Sequence, residues 1–196
     1  LALSQSNGPV SGQAFITAVA VGCDLVCRLA LSLRRPMEEG GWYPPPILGA
    51  FGAAAGAAKV LGLPPGQVLD ALSLVLCQNS CPGEIKHYRD TVIRAVREAF
   101  PAQAAVTSAS LAAAGVPGFA QPFEGKAGFF RLFADGAYDP MVIRDRLGGH
   151  WWIEALSFKA WPCCRGTHAY VQGALALRAR HSLTPSMIRE IVLTTG

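Results

Sequence analysis

Between Ser11 and Leu33 apolar residues return every three or four positions, which predicts a helix, and Ser11 stands where a helix cap belongs. Gly40-Gly41 and Pro44-Pro45-Pro46 interrupt the pattern and predict a loop. A second helix is predicted over Ile47 to Leu61, closed by Gly62, and a third from Pro64-Pro65 to about Asn79. The second carries a face of Gly49, Gly52, Ala53 and Gly56, nearly bare of side chains, against which another helix can come close. Pro82 to Asp90 reads as a polar loop. Thr91 to Ala114 reads as helix with an interruption near Pro101, stopped by Gly115-Val116-Pro117-Gly118. Gly125 to Asp139 is a Gly- and Phe-rich loop or short helix. From His150 the pattern changes to aromatic and β-branched residues. A helix over His168 to His181 follows, then a turn at Thr184-Pro185-Ser186 and an alternation over Ile188 to Leu193 that predicts a strand. The fold expected is mainly α, with a boundary near Gly148-Gly149. Leu1 opens in mid-pattern, and the strand expected at Ile188 to Thr195 has nothing after it to pair with; both predict a piece of a longer chain.

Composition narrows the classes. Of 196 residues, 51% are hydrophobic and 15% charged, which excludes a disordered chain. The net charge is +4, but only Arg34-Arg35 are adjacent basic residues, so no nucleic-acid surface is expected. The apolar stretch Ala14 to Leu33 contains Asp24 and Arg28, which argues against a membrane span; four apart on a helix, the two can pair. Six cysteines fall as Cys23 with Cys27, Cys77 with Cys81, and Cys163 beside Cys164. None has the spacing of a zinc site, so no metal or cofactor is expected. Buried thiols in a reducing cytoplasm are the plain reading.

Several segments resemble, in order, those of the MmgE/PrpD family of 2-methylcitrate dehydratase-like and cis-aconitate decarboxylase-like lyases. Gly22-Cys23-Asp24-Leu25-Val26-Cys27-Arg28 is similar to the family's Gly-Tyr-Glu-Val-x-x-Arg, and Gly41-Trp42-Tyr43-Pro44 through Gly49-Ala50-Phe51-Gly52-Ala53-Ala54 to its Gly-Trp-His and Gly-x-Phe-Gly-Ala-Ala motifs. Ser108-Ala109-Ser110-Leu111-Ala112 and Phe123-Glu124-Gly125 follow. Lys159-Ala160-Trp161-Pro162-Cys163-Cys164 with His168 resembles its Lys-x-Tyr-Pro-Cys-Cys-x-x-x-His. The resemblance implies that 1–148 is part of an all-helical domain and 149–196 the truncated start of a smaller α+β domain. It also implies metal-independent dehydration, decarboxylation or epimerisation of a small polycarboxylate by a cytoplasmic homodimer.

That chemistry needs cations for the carboxylates, an acid or base for a proton on carbon, and stabilisation of an enediolate. On the resemblance, Lys159, His168 and Tyr43 take the catalytic positions, and Arg94, Arg97, Cys163 and Cys164 the substrate-binding ones. The chain departs from the family at three places: Tyr43 stands where the motif has His, and Arg94 and Arg97 fall where a Lys and a His are expected. The register there is open, with Lys86-His87 as the competing pair. Structural roles stand beside each assignment. Tyr43 packs a loop, Arg94 and Arg97 face solvent, Lys159 extends its amine to water, and His168 caps a helix. Two functions are therefore carried forward: a polycarboxylate lyase or isomerase, or a catalytically inactive relative that binds carboxylates or acts in assembly. The bare face of the second helix and an exposed Phe129-Phe130 pair are expected to drive self-association, and the chain alone is expected to turn nothing over.

Overall fold

The structure is a computed structural model that describes residues 1–88 and 90–194. Arg89, in the loop expected over Pro82 to Asp90, and Thr195, at the end of the expected strand, lie outside the described residues. Nine α-helices are found among the described residues: α1 Ala2–Ser6, α2 Gly12–Ser32, α3 Pro44–Val60, α4 Pro65–Leu76, α5 Ile93–Val96, α6 Ala99–Ala113, α7 Phe129–Ala134, α8 Pro140–Arg144 and α9 His168–His181. They fall into two compact units, Leu1–Ala155 and Leu156–Gly196.

In the first unit α2, α4 and α6 pack around α3. Ser11 caps α2 as its position suggests, its side chain accepting the Ala14 N–H at 3.2 Å. The bare face of α3 does let a helix in. A Cβ on Gly22 would stand 2.5 Å from the Gly52 carbonyl oxygen, and one on Gly52 would stand 2.6 Å from that of Gly22. Backbone therefore lies on backbone where α2 meets α3. The core gathers beneath, around Phe51, Ile47, Leu29 and Met37, with Phe51 and Phe129 edge to face at 5.2 Å.

Four expectations need correction. Phe129 and Phe130 are not exposed: they are 0% and 2% accessible, and Phe130 stacks on Tyr138 at 3.8 Å. The three prolines do not form a loop but open α3, because the first turn of a helix has no use for their missing N–H groups. For the same reason Pro101 sits inside the first turn of α6, and the interruption falls before it, at Arg97 and Glu98. No strand ladder forms among the described residues; Ile188 is extended, and the segment to Leu193 has no partner to complete a sheet.

By length and composition α2 could cross a bilayer. Here it lies on α3 with its two charges turned inward. Arg28 Nε donates to Asp24 Oδ2 at 2.5 Å. The Arg28 guanidinium also donates to the carbonyls of Val142 (3.4 Å), Ile143 (3.1 Å), Asp145 (2.8 Å) and His150 (2.8 Å). Asp24 Oδ1 accepts the Trp152 N–H at 2.8 Å. This buried pair ties the 142–152 segment to α2.

Candidate functional site

Tyr43 is held by a short crossing of two chain segments. Gly41 has φ +78°, a left-handed turn that suits glycine, and its carbonyl accepts the Gly83 N–H at 2.6 Å. Tyr43 N–H then donates to the Cys81 carbonyl at 2.8 Å, and α3 begins at the next residue. Over the Tyr43 ring stand two cations: Lys86 Nζ at 5.4 Å from its centroid and Arg97 Cζ at 5.1 Å. Both distances lie within the range of cation–π attraction.

Arg97 sits at the break between α5 and α6. Its Nε donates to Glu98 at 2.8 Å and its Nη1 to the Arg94 carbonyl at 2.9 Å. Its side chain is 22% accessible and lines a cleft of about 670 Å³, together with Gln78, Ser80, Tyr88, Thr91 and Phe100. Glu84 and Asp90 line the same cleft, so its charge is mixed. The Cys81 thiol in its wall is pushed up, first by burial and then by the Glu98 carboxylate, against a lowering by Arg97. Arg94 is exposed, and it meets Arg97 through its carbonyl. His87 is exposed as well. Of the competing pairs, one member of each, Arg97 and Lys86, therefore comes to Tyr43. Gln78 and Phe100 were not singled out from the sequence; Phe100 lies three positions after Arg97, one helical turn on, and that spacing is the signal for it.

In the second unit the first turn of α9 gathers another group. His168 opens the helix, with the Trp161 ring edge-on at 5.1 Å, and its Nε2 is buried without a partner among the described residues. Thr167 Oγ1 lies 3.1 Å from Cys163 Sγ and 2.7 Å from the Cys164 carbonyl, with one proton for the two acceptors. Cys164 and Lys159 are exposed. Cys163, Thr167 and His168 thus adjoin one another along the chain. Thr167, which the motif does not mark, anchors the cysteine pair.

The model of the MmgE/PrpD N-terminal domain matches residues 1–140. Curated relatives include a cis-aconitate decarboxylase-like protein of Aspergillus oryzae, 26% identical over 88% of this chain and 37% of its own length. The cis-aconitate decarboxylase of Aspergillus terreus is 25% identical over 91% of this chain and 38% of its own. The human cis-aconitate decarboxylase is 27% identical over 93% and 39%. The chain therefore spans less than two fifths of the length of these relatives.

Proposed function

The chain belongs to the MmgE/PrpD family, and from that premise we propose that it forms part of a metal-independent lyase acting on a small polycarboxylate, of the cis-aconitate or 2-methylcitrate class. The observation that carries the reading is Arg97, a guanidinium with restricted exposure on the wall of a cleft large enough for such an acid. Guanidinium keeps its charge at every physiological pH and offers a planar fork to a carboxylate, so its task is binding and not proton transfer.

The proton chemistry falls to other groups. In decarboxylation the bond to the departing carboxyl breaks, carbon dioxide leaves, and the electron pair on carbon takes a proton from an acid. In dehydration a base removes the carbon proton while the hydroxyl leaves with another. His168, whose Nε2 is buried and unpartnered among the described residues, and Lys159 are the groups proposed for these transfers. Cys163 and Cys164 are proposed to contact substrate, with Thr167 holding them. The active assembly is proposed to be a cytoplasmic homodimer.

The test uses the complete polypeptide that carries this sequence. It is incubated with cis-aconitate, 2-methylcitrate, citrate and a panel of dicarboxylates, and products are followed by proton NMR. Loss of carbon dioxide or water from one of them, abolished in Lys159→Ala, is expected. The 196-residue chain alone is expected to show none, because a catalytic group misplaced by about 1 Å loses roughly 100-fold in rate. Saturable binding with no product from any acid would favour the inactive, carboxylate-binding relative.

A further inference from the structure

The three cysteine pairs differ in how ready their thiols are to react. Cys23 and Cys27 share one face of α2, but Cys27 is half-buried and its thiol is pushed up, first by burial and then by the Asp24 carboxylate. Cys77 ends α4, so Cys81 lies beyond the helix; it is buried, and burial pushes its thiol up as well. A thiol held protonated is a poor nucleophile and a poor ligand. Cys164, by contrast, is exposed, and Cys163 beside it is half-buried. We propose that this adjacent pair is a dithiol site that captures trivalent organoarsenicals, closing a ring through the arsenic atom. The site lies within the second unit and rests on neither the polycarboxylate nor the lyase reading.

Both sulfurs sit against one turn. Cys163 Sγ lies 3.1 Å from Thr167 Oγ1. A Cβ on Gly166 would stand 3.9 Å from Cys164 Sγ and, chain neighbours aside, would meet nothing else within 4 Å among the described residues. The turn Arg165–Thr167 thus carries the two sulfurs on consecutive residues, and Gly166 leaves room beside the second. Backbone bonds hold the turn: Thr167 N–H donates to the Cys164 carbonyl at 2.9 Å and Cys163 N–H to the Trp161 carbonyl at 2.8 Å. A disulfide between the two is disfavoured. Successive Cα atoms stand about 3.8 Å apart, whereas a disulfide ordinarily spans about 4.4–6.8 Å between Cα atoms, so direct closure is strained and easily reduced. One inserted atom lengthens the bridge and lifts that constraint. Trivalent arsenic is a soft centre, and thiolate is the soft ligand among side chains. The reaction needs no oxidant: in RAs(OH)2 two As–O bonds break, two As–S bonds form, and the thiol protons leave with the two hydroxyls as water. Once one sulfur has bound, attack by the second is intramolecular, which raises its effective concentration greatly. A single cysteine gains nothing of the kind.

The test is intact-mass spectrometry of the 196-residue chain, kept reduced with a phosphine and titrated with phenylarsine oxide. One phenylarsenic bridge per chain is expected, with two of the six thiols lost to alkylation after unfolding. Dimercaptopropanol should strip the bridge, and mercaptoethanol should not. Cys163→Ser and Cys164→Ser each leave one thiol at the turn and should weaken capture about 100-fold or more. Cys27→Ser and Cys81→Ser should stay within about two-fold of the parent. A circular dichroism melt checks the fold of each variant, and Cys164→Ala, at an exposed position, repeats the test with a second side chain. Capture that survives in both Cys163→Ser and Cys164→Ser, or that is lost in Cys27→Ser or Cys81→Ser, would place it at a helical pair and overturn the proposal. So would ready closure of a Cys163–Cys164 disulfide by oxidised glutathione. Turnover by the complete polypeptide does not enter this readout, so the lyase reading can fail while the dithiol site stands, and the reverse.

Discussion

Replacing Arg28 with methionine tests what holds the first unit to its last segment. The substitution keeps much of the volume of a fully buried side chain, 2% accessible, and removes only its charge and donors. Two costs follow. Asp24, 7% accessible, loses its cation and keeps a charge away from water. The carbonyls of Val142, Ile143, Asp145 and His150 lose a shared donor. Removing one partner of a buried ion pair costs about 3–5 kcal/mol, largely through the uncompensated charge left behind. Against a total stability on the order of 5–15 kcal/mol, that is a major fraction. For a chain of this size about 2–4 °C of melting temperature goes with each kcal/mol, so a fall of roughly 10 °C is expected. Urea unfolding followed by tryptophan fluorescence gives the free energy. Hydrogen exchange at the Trp152 amide, which donates to Asp24 at 2.8 Å, reports the local release. Adding Asp24→Leu to Arg28→Met removes the stranded charge and should recover part of the loss, a coupling that independent sites do not show. An Arg28→Met protein within about 1 kcal/mol of the original would refute the reasoning, because a pair so buried could not then be a charged one.

Two further outcomes are expected. Gly52→Ala should destabilise by about 1–3 kcal/mol, since its Cβ would meet Val26 Cγ2 at 2.5 Å as well as the Gly22 carbonyl, whereas Gly49→Ala, with nothing within 4 Å, should melt no lower than the parent. The Asp139 carboxyl is held below its usual range, first by the Met141 N–H at the start of α8 and then by Arg34, so its contribution is present above the unfolded carboxyl value near about 3.9 and is lost as pH falls through the lower folded value. The stability gap between the parent and Asp139→Ala should close across that acid window; a gap constant with pH would remove Asp139 from the capping role.

The helical frame was legible because its signals are local. Ser11 and Gly62 mark ends that the chain uses, and α9 runs over the same His168 to His181 that its pattern predicts. The strand at Ile188 to Leu193 was not, since alternation shows how a strand would face and says nothing about whether a neighbour is there to pair. Proline misleads at two places for one reason: Pro44 and Pro101 look like breakers, and the first turn of a helix accepts both. At the candidate site, residue types pointed to Tyr43, Arg97 and Lys86 separately. That the ring lies under both cations follows from the Trp42–Pro82 crossing, a contact between distant segments that no local spacing encodes. Arg94 and Arg97 are alike in sequence and differ only in which way the break between α5 and α6 turns them.

The tie between α2 and the 142–152 segment also sets an order on synthesis. The acceptors of Arg28 lie 114 to 122 residues downstream of it. At about 5–20 residues per second, a ribosome needs roughly 6–24 s after making Arg28 to deliver them. For that interval the α2 charges have only each other and water, and the helix cannot settle with that face buried. Helix α2 is thus made before its partners and finished late, and a ribosome stalled before His150 would hold a nascent chain in which α2 still carries an open, charged face.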